Sequence, residues 1–179
     1  MHKRHPHIFS EMQETLRYLV SHVENLETAA DERETRLEVQ EKIRHVEGAP
    51  TVSAGTKRLI DILTAYYALE MRSPEVPGLI VLEEPDMAVH PLLLRRLVEQ
   101  LRIFTEQDGK PRQFIITTHN PALLNLFEPK EVRIVERNEA GETSVRQADE
   151  VLIEKWREQT GDYNLDDLWT TRLLGGVPQ

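Results

Sequence analysis

Two short apolar runs do most to limit what this chain can fold into. Residues 79–82 read Leu-Ile-Val-Leu, residues 114–116 read Phe-Ile-Ile, and the intervening "PLLLRRLVEQLRIFTEQ" spaces its leucines as a helix does. A strand reaches a parallel neighbour only through a crossover of about a dozen residues or more, usually a helix. The order strand, helix, strand therefore predicts an α/β fold with a parallel sheet core and helices packed on it. The first run has the length and composition of a strand buried on both faces. It ends in "EEPD", so Glu83 and Glu84 stand at the carboxyl end of a central strand, where open α/β sheets place their ligands. The second run ends in "TTH", which puts His119 at the corresponding end of a neighbouring strand.

Composition excludes several classes. A chain of 179 residues, 39% hydrophobic and 30% charged, can bury one good core and has the surface of an ordinary globular protein. Its net charge of -9 repels polyanions, so nucleic acid could be met only indirectly, through a local basic patch or another chain. With no cysteine there are no disulfides, thiolate zinc sites or thiol nucleophiles. No apolar run approaches the roughly 20 residues of a membrane helix. The opening "MHKRHPHIF" leads into polar residues and not into a signal-peptide core. The expectation is a cytoplasmic protein without a membrane partner.

Ahead of the strands, Phe9, Met12, Leu16, Leu19, Val23, Leu26 and Ala30 alternate spacings of three and four, and the charged run through Leu37 extends the pattern. This heptad seam predicts one long helix or a helical hairpin over residues 1–49, stopped by Gly48 and Pro50. It serves either as an amphipathic helix on its own domain or as an arm that meets a partner. Residues 50–179 form the second region. Ser53, Gly55 and Thr56 precede a periodic apolar run (Leu59, Ile60, Ile62, Leu63, Tyr66, Tyr67), which marks a helix start. Such a start is either a plain Ser/Thr cap or a phosphate site. Beyond His119, Asn120 and Pro121 open a helix through "ALLNLF", two strand-like runs around "NEAG" predict a β-hairpin, and two short helices follow with Gly161 near their junction.

Two adjacent carboxylates at a strand end suit a hard cation such as Mg²⁺, one holding it and the other orienting a water. His119 could reach a terminal phosphate or that water. One acidic pair in an acidic chain is thin support for a metal-dependent nuclease. His2, His5 and His7 form a loose cluster that lacks the carboxylate or cysteine partner of a transition-metal site.

Taken in order, "VSAGTKRLIDILTAYYALE", "LIVLEEPDMAVHP" and "FIITTHNPALL" resemble the signature motif, the Walker B strand with its D-loop, and the switch-histidine motif of ABC-type P-loop ATPases. The resemblance is to the branch with RecF-like, SMC-like and overcoming-lysogenization-defect-like ATPases, and it covers roughly residues 50 to 136. The tail "YNLDDLWTTRLLGG" also resembles the close of many predicted members. The resemblance implies ATP and Mg²⁺ as cofactors. It assigns Glu83 to the position that supports Mg²⁺, in place of the commoner aspartate, and Glu84 to the one that polarises the attacking water. His119 matches the histidine that senses the γ-phosphate. Ser53 and Gly55 match residues that contact the nucleotide of the opposite subunit, and Asp86 to His90 occupy the D-loop region that crosses a dimer interface.

No G-x-x-x-x-G-K-[ST] occurs in the chain; its one Gly-Lys pair, Gly109-Lys110, is followed by proline. Without that loop nothing cradles a β-phosphate. The resemblance is thus to the carboxy-terminal half of an ATPase head: a fragment, a split protein, or a degenerate relative. The expected partner is a second head, a homodimer or a chain carrying Walker A, with an effector protein as a further candidate. The competing class is a non-catalytic scaffold that uses the heptad seam and keeps the carboxylates as relics. Dependence of association on ATP or Mg²⁺ separates the two.

Overall fold

In a computed structural model the strand, helix and strand form the expected parallel unit. The structure describes residues 5–30, 35–41, 52–72, 77–106, 112–149, 151, 153–155, 158, 161 and 165–175. Strand β3 (Gly78–Glu83) runs into helix α3 (Pro91–Glu106) and on to strand β4 (Arg112–Thr117), with β3 and β4 paired in parallel from Gly78 opposite Arg112 to Glu83 opposite Thr117. Before them come helix α1 (Pro6–Leu19), strands β1 (Val23–Ala30) and β2 (Thr35–Glu41), and helix α2 (Ala54–Glu70). After them come helix α4 (Pro121–Leu124), strands β5 (Arg133–Arg137) and β6 (Thr143–Gln147), and helix α5 (Leu165–Thr170). The chain divides into two compact units, Met1–Thr117 and Thr118–Gln179.

The core of the first unit gathers one face from each element. Phe9, Met12, Leu16 and Leu19 of α1, Leu59, Ile62, Leu63, Tyr66 and Tyr67 of α2, and Leu97, Leu101 and Phe104 of α3 pack with Ile80 and Leu82 of β3. Burying such a leucine is worth about 1.5–3 kcal/mol, so this layer supplies most of the drive to fold the unit. Tyr66 stacks on Phe104 with ring centroids 3.5 Å apart. Next to it Arg112, at the start of β4, donates to the Glu70 carboxylate at 2.6 and 2.9 Å; its side chain is 3% exposed.

The structure departs from the sequence reading in two respects. The continuous helix or helical hairpin expected over residues 1–49 is instead a helix of 14 residues followed by the antiparallel pair β1–β2. From Phe9 to Leu26 the apolar seam is buried all the same, with Val23 and Leu26 each 1% exposed. A register shift between Val23 and Asn25 places two β1 residues against one on β2, and this bulge changes the parity of the strand. Residues three apart then face the core on a strand, which is why their spacing resembles a helix. Gly48, Pro50 and the boundary between residues 49 and 50 lie outside the described residues, as do His2 and the Gly109-Lys110 pair.

The second departure concerns β3, which was expected to be buried on both faces. Its pattern alternates strictly: Ile80 and Leu82 are buried, whereas Leu79 and Val81 are 54% and 60% exposed. On β4 Ile115 is 45% exposed. Among the described residues this sheet has two strands, and within the first unit no described element covers the face that carries Leu79, Val81 and Ile115.

The second unit is built on the predicted hairpin. Asn138 closes the β5–β6 turn, its carbonyl accepting from Gly141 N at 2.9 Å and its side chain from Glu142 N at 2.8 Å. Gly141 takes the left-handed φ of 80° that the turn requires. Ile134, Ala148, Ile153, Leu165, Leu168 and Leu174 form the core of this unit. Helix α4 starts as expected, with the Asn120 side chain accepting from Ala122 N at 2.9 Å and Pro121 in the first turn, but it ends at Leu124.

Candidate functional site

The carboxylate pair sits where β3 leaves the sheet. Glu83 is the last strand residue and is exposed; Glu84 is half-buried and takes a left-handed φ of 43°. That conformation is costly for a residue with a side chain. The Glu84 amide still donates to the Thr117 carbonyl at 3.0 Å, extending the β3–β4 ladder by one bond. The chain then turns tightly: Met87 N donates to Glu84 O and Val89 N to Asp86 O, both at 3.1 Å, and Ala88 is again left-handed at φ 62°. Asp86 is half-buried within this turn. His90 caps α3, its Nδ1 accepting from Leu92 N at 3.2 Å, which assigns the ring proton of the neutral form to Nε2.

The start of α2 is packed against the same turn. Ser53 is the N-cap: its hydroxyl oxygen accepts from Thr56 N at 3.0 Å and lies 2.8 Å from the Thr56 hydroxyl. Gly55 is buried, and a Cβ there would collide with the Ala88 carbonyl oxygen. Glycine is needed because two stretches of backbone approach within van der Waals distance. One turn on, the Arg58 guanidinium donates through Nη2 to the Glu83 carbonyl. Its Nε is buried without an acceptor. Arg58 was not among the residues singled out from sequence.

Ser53, Gly55, Glu83, Glu84, Asp86 and His90 thus all belong to one end of the first unit. His119 belongs to the second unit, two residues beyond Thr117, exposed and just ahead of the Asn120 cap. His5 and His7 lie edge to face with ring centroids 6.4 Å apart, and no cluster of three or more His, Asp or Glu side chains is found among the described residues.

The donor set bears on Mg²⁺ and a nucleotide. Two carboxylates give hard oxygen ligands on an accessible turn, which fits an ion that keeps several waters and takes its remaining ligands from phosphate. The chain offers no lysine-bearing glycine loop for that phosphate. The residues therefore fit the carboxylate part of such a site and not its phosphate-cradling part.

Comparison with known proteins bears on this geometry. Residues 6–125 match the family model described as AAA domain, putative AbiEii toxin, Type IV TA system. The chain belongs to this AAA domain family. No curated protein matches it. Its fold is similar to a structure from "Structural biochemistry of ATP-driven dimerization and DNA stimulated activation of SMC ATPases", at a TM-score of 0.63 and 12% identity over 90% of this chain and 95% of that one. It is also similar to the Smc head bound to the C-winged helix domain of ScpA (TM-score 0.60, 14% identity, 83% of this chain) and to the SMC head domain from Thermotoga maritima (TM-score 0.54, 16% identity, 82% of this chain). This AAA domain spans 44% and 49% of those two heads. The likeness shows a mixed α/β fold similar to that of SMC head domains. No described helix is long and apolar enough to cross a membrane.

Proposed function

We propose that this AAA domain supplies the carboxylate-bearing half of an ATPase head that binds and hydrolyses ATP once a P-loop is provided by another piece of protein. One observation carries the reading: the carboxylate pair and the capped start of α2 meet at the carboxyl end of a parallel strand, tied together by Arg58 and Gly55. Leu79, Val81 and Ile115, exposed on a face of β3–β4 that no described element of the first unit covers, support the need for a complement, because parallel sheets are normally covered on both faces. Bound Mg-ATP supplies a γ-phosphoryl group whose charge the metal neutralises.

Around it Glu84 would orient and polarise the attacking water, Glu83 would support Mg²⁺, and His119 would meet the γ-phosphate. Ser53 and Gly55 present a helix start to the nucleotide of a second head, as anions favour. Asp86 and His90 lie in the turn that crosses to that head. The assembly is a head-to-tail sandwich, a homodimer or a pair with a Walker A chain. Its closure moves an effector in DNA repair, chromosome handling or phage defence.

Calorimetric titration with Mg-ATP tests this, first with the chain alone and then with a polypeptide carrying the P-loop half. Binding and turnover only with the complement is the expected result. Heat in neither titration favours the scaffold reading. Glu84→Gln should keep binding and lower kcat by roughly 10²-fold or more, the scale of general-base loss, while trapping the closed pair in sedimentation.

A further inference from the structure

The peptide group between the two carboxylates is held from both sides. Its carbonyl, Glu83 O, accepts from the Arg58 guanidinium on α2, and its amide, Glu84 N, donates to Thr117 O on β4 at 3.0 Å, with the Thr117 hydroxyl 3.4 Å away. This peptide plane sets the direction in which Glu84 leaves the strand, and Glu84 leaves it with a left-handed φ. Ordinary β-strand continuation would point its side chain elsewhere. From these contacts we infer that Arg58 is a positioning residue: it fixes the Glu83–Glu84 peptide plane, and through it the Glu84 carboxylate, relative to the helix that begins at Ser53.

A second contact makes the link specific. Gly55 sits against the Ala88 carbonyl, so the first two turns of α2 grip the carboxylate turn at both its beginning and its end. The first turn of α2 carries Ser53 and Gly55, assigned above to the opposite nucleotide. The same helix start therefore reports on one site and sets the carboxylate of the other. Arginine suits this task better than lysine, because its planar fork fixes the direction of the donated bond and its delocalised charge tolerates partial burial. The buried Nε shows how closely the side chain is enclosed. The inference rests on the role proposed for Glu84, but its first test does not.

Amide exchange followed by NMR on the chain alone, without nucleotide, reads the pinning directly. Arg58→Gln should speed exchange at Glu84 and Met87 at least tenfold while Leu63 and Leu101 in the core stay within twofold. Arg58→Lys should fall between. Exchange at Glu84 within twofold of the parent, or an equal acceleration throughout the core, overturns the inference. If Arg58→Gln does not fold, Arg58→Lys decides by the same comparison, with at least a threefold acceleration confined to the turn expected. In the complemented assembly Arg58→Gln should lower kcat about tenfold and leave KM for Mg-ATP within twofold; a change in KM alone counts against positioning. Absence of turnover in the parent assembly refutes the ATPase reading and leaves the exchange result to decide the role of Arg58.

Discussion

At the residue scale, the turn after β3 combines two costs that an unconstrained chain would avoid: non-glycine residues with left-handed φ at Glu84 and Ala88, and a backbone approach that tolerates no side chain at Gly55. Strain of this kind persists where surrounding structure over-determines it. Gly55 provides a measurable consequence. Alanine there would gain up to roughly 1 kcal/mol of helix propensity, but overpacking costs about 1–3 kcal/mol and the obstacle is a backbone carbonyl that cannot rotate away. The steric term should win, and Gly55→Ala is expected to destabilise the chain by about 1 kcal/mol in urea unfolding. A stabilised variant would mean that α2 and the turn are not in contact. That Glu83, Glu84, Ser53 and Gly55 stand at a strand end and a helix start was legible from residue types in order. Arg58 was not, since nothing in a pair of cationic residues says which one turns inward to a carbonyl 25 positions on.

Among the elements, α2 and β4 are joined at the end remote from the carboxylates by the Arg112–Glu70 pair, close to Tyr66. Removing Arg112 leaves the Glu70 carboxylate, 17% exposed, without this cation, so Arg112→Ala should cost about 2–3 kcal/mol in chemical denaturation, less than for a fully buried pair; a loss below roughly 1 kcal/mol would show that water reaches Glu70 freely. The phenols report on the same layer. Burial above all, then the Glu70 carboxylate, pushes the Tyr66 pKa up, and burial does the same to Tyr67. An unfolded tyrosine ionises near pH 10, so the unfolded state releases these protons first. Their contribution is fully present below about pH 10 and is lost as pH rises beyond it. The thermal midpoint should therefore fall between about pH 10 and 11.5, and Tyr66→Phe should blunt the fall. The element with the strongest apparent signal, the heptad seam, was misread as helix throughout: its second half is a bulged strand whose burial parity imitates a helix.

For the whole molecule, the open side of β3–β4 matters most. Leu79, Val81 and Ile115 expose an apolar face to which the first unit brings no covering element among the described residues. Val81→Glu, a change at an exposed strand position, should leave the stability of the isolated chain within about 0.5 kcal/mol. It should abolish association with a P-loop half in the calorimeter; full binding by the variant would place the complement elsewhere. The sequence by itself determined the α/β class, the parallel unit, the hairpin at Asn138–Gly141 and the order of the motifs, because periodicity, turn residues and caps are local properties of a few neighbouring side chains. Only the tertiary structure decided that residues 23–41 pair as strands, that β3 is covered on one face, and that Arg58 and Gly55 bind α2 to the carboxylate turn. These depend on which segments distant in the chain come to share an environment, and no local pattern encodes that choice.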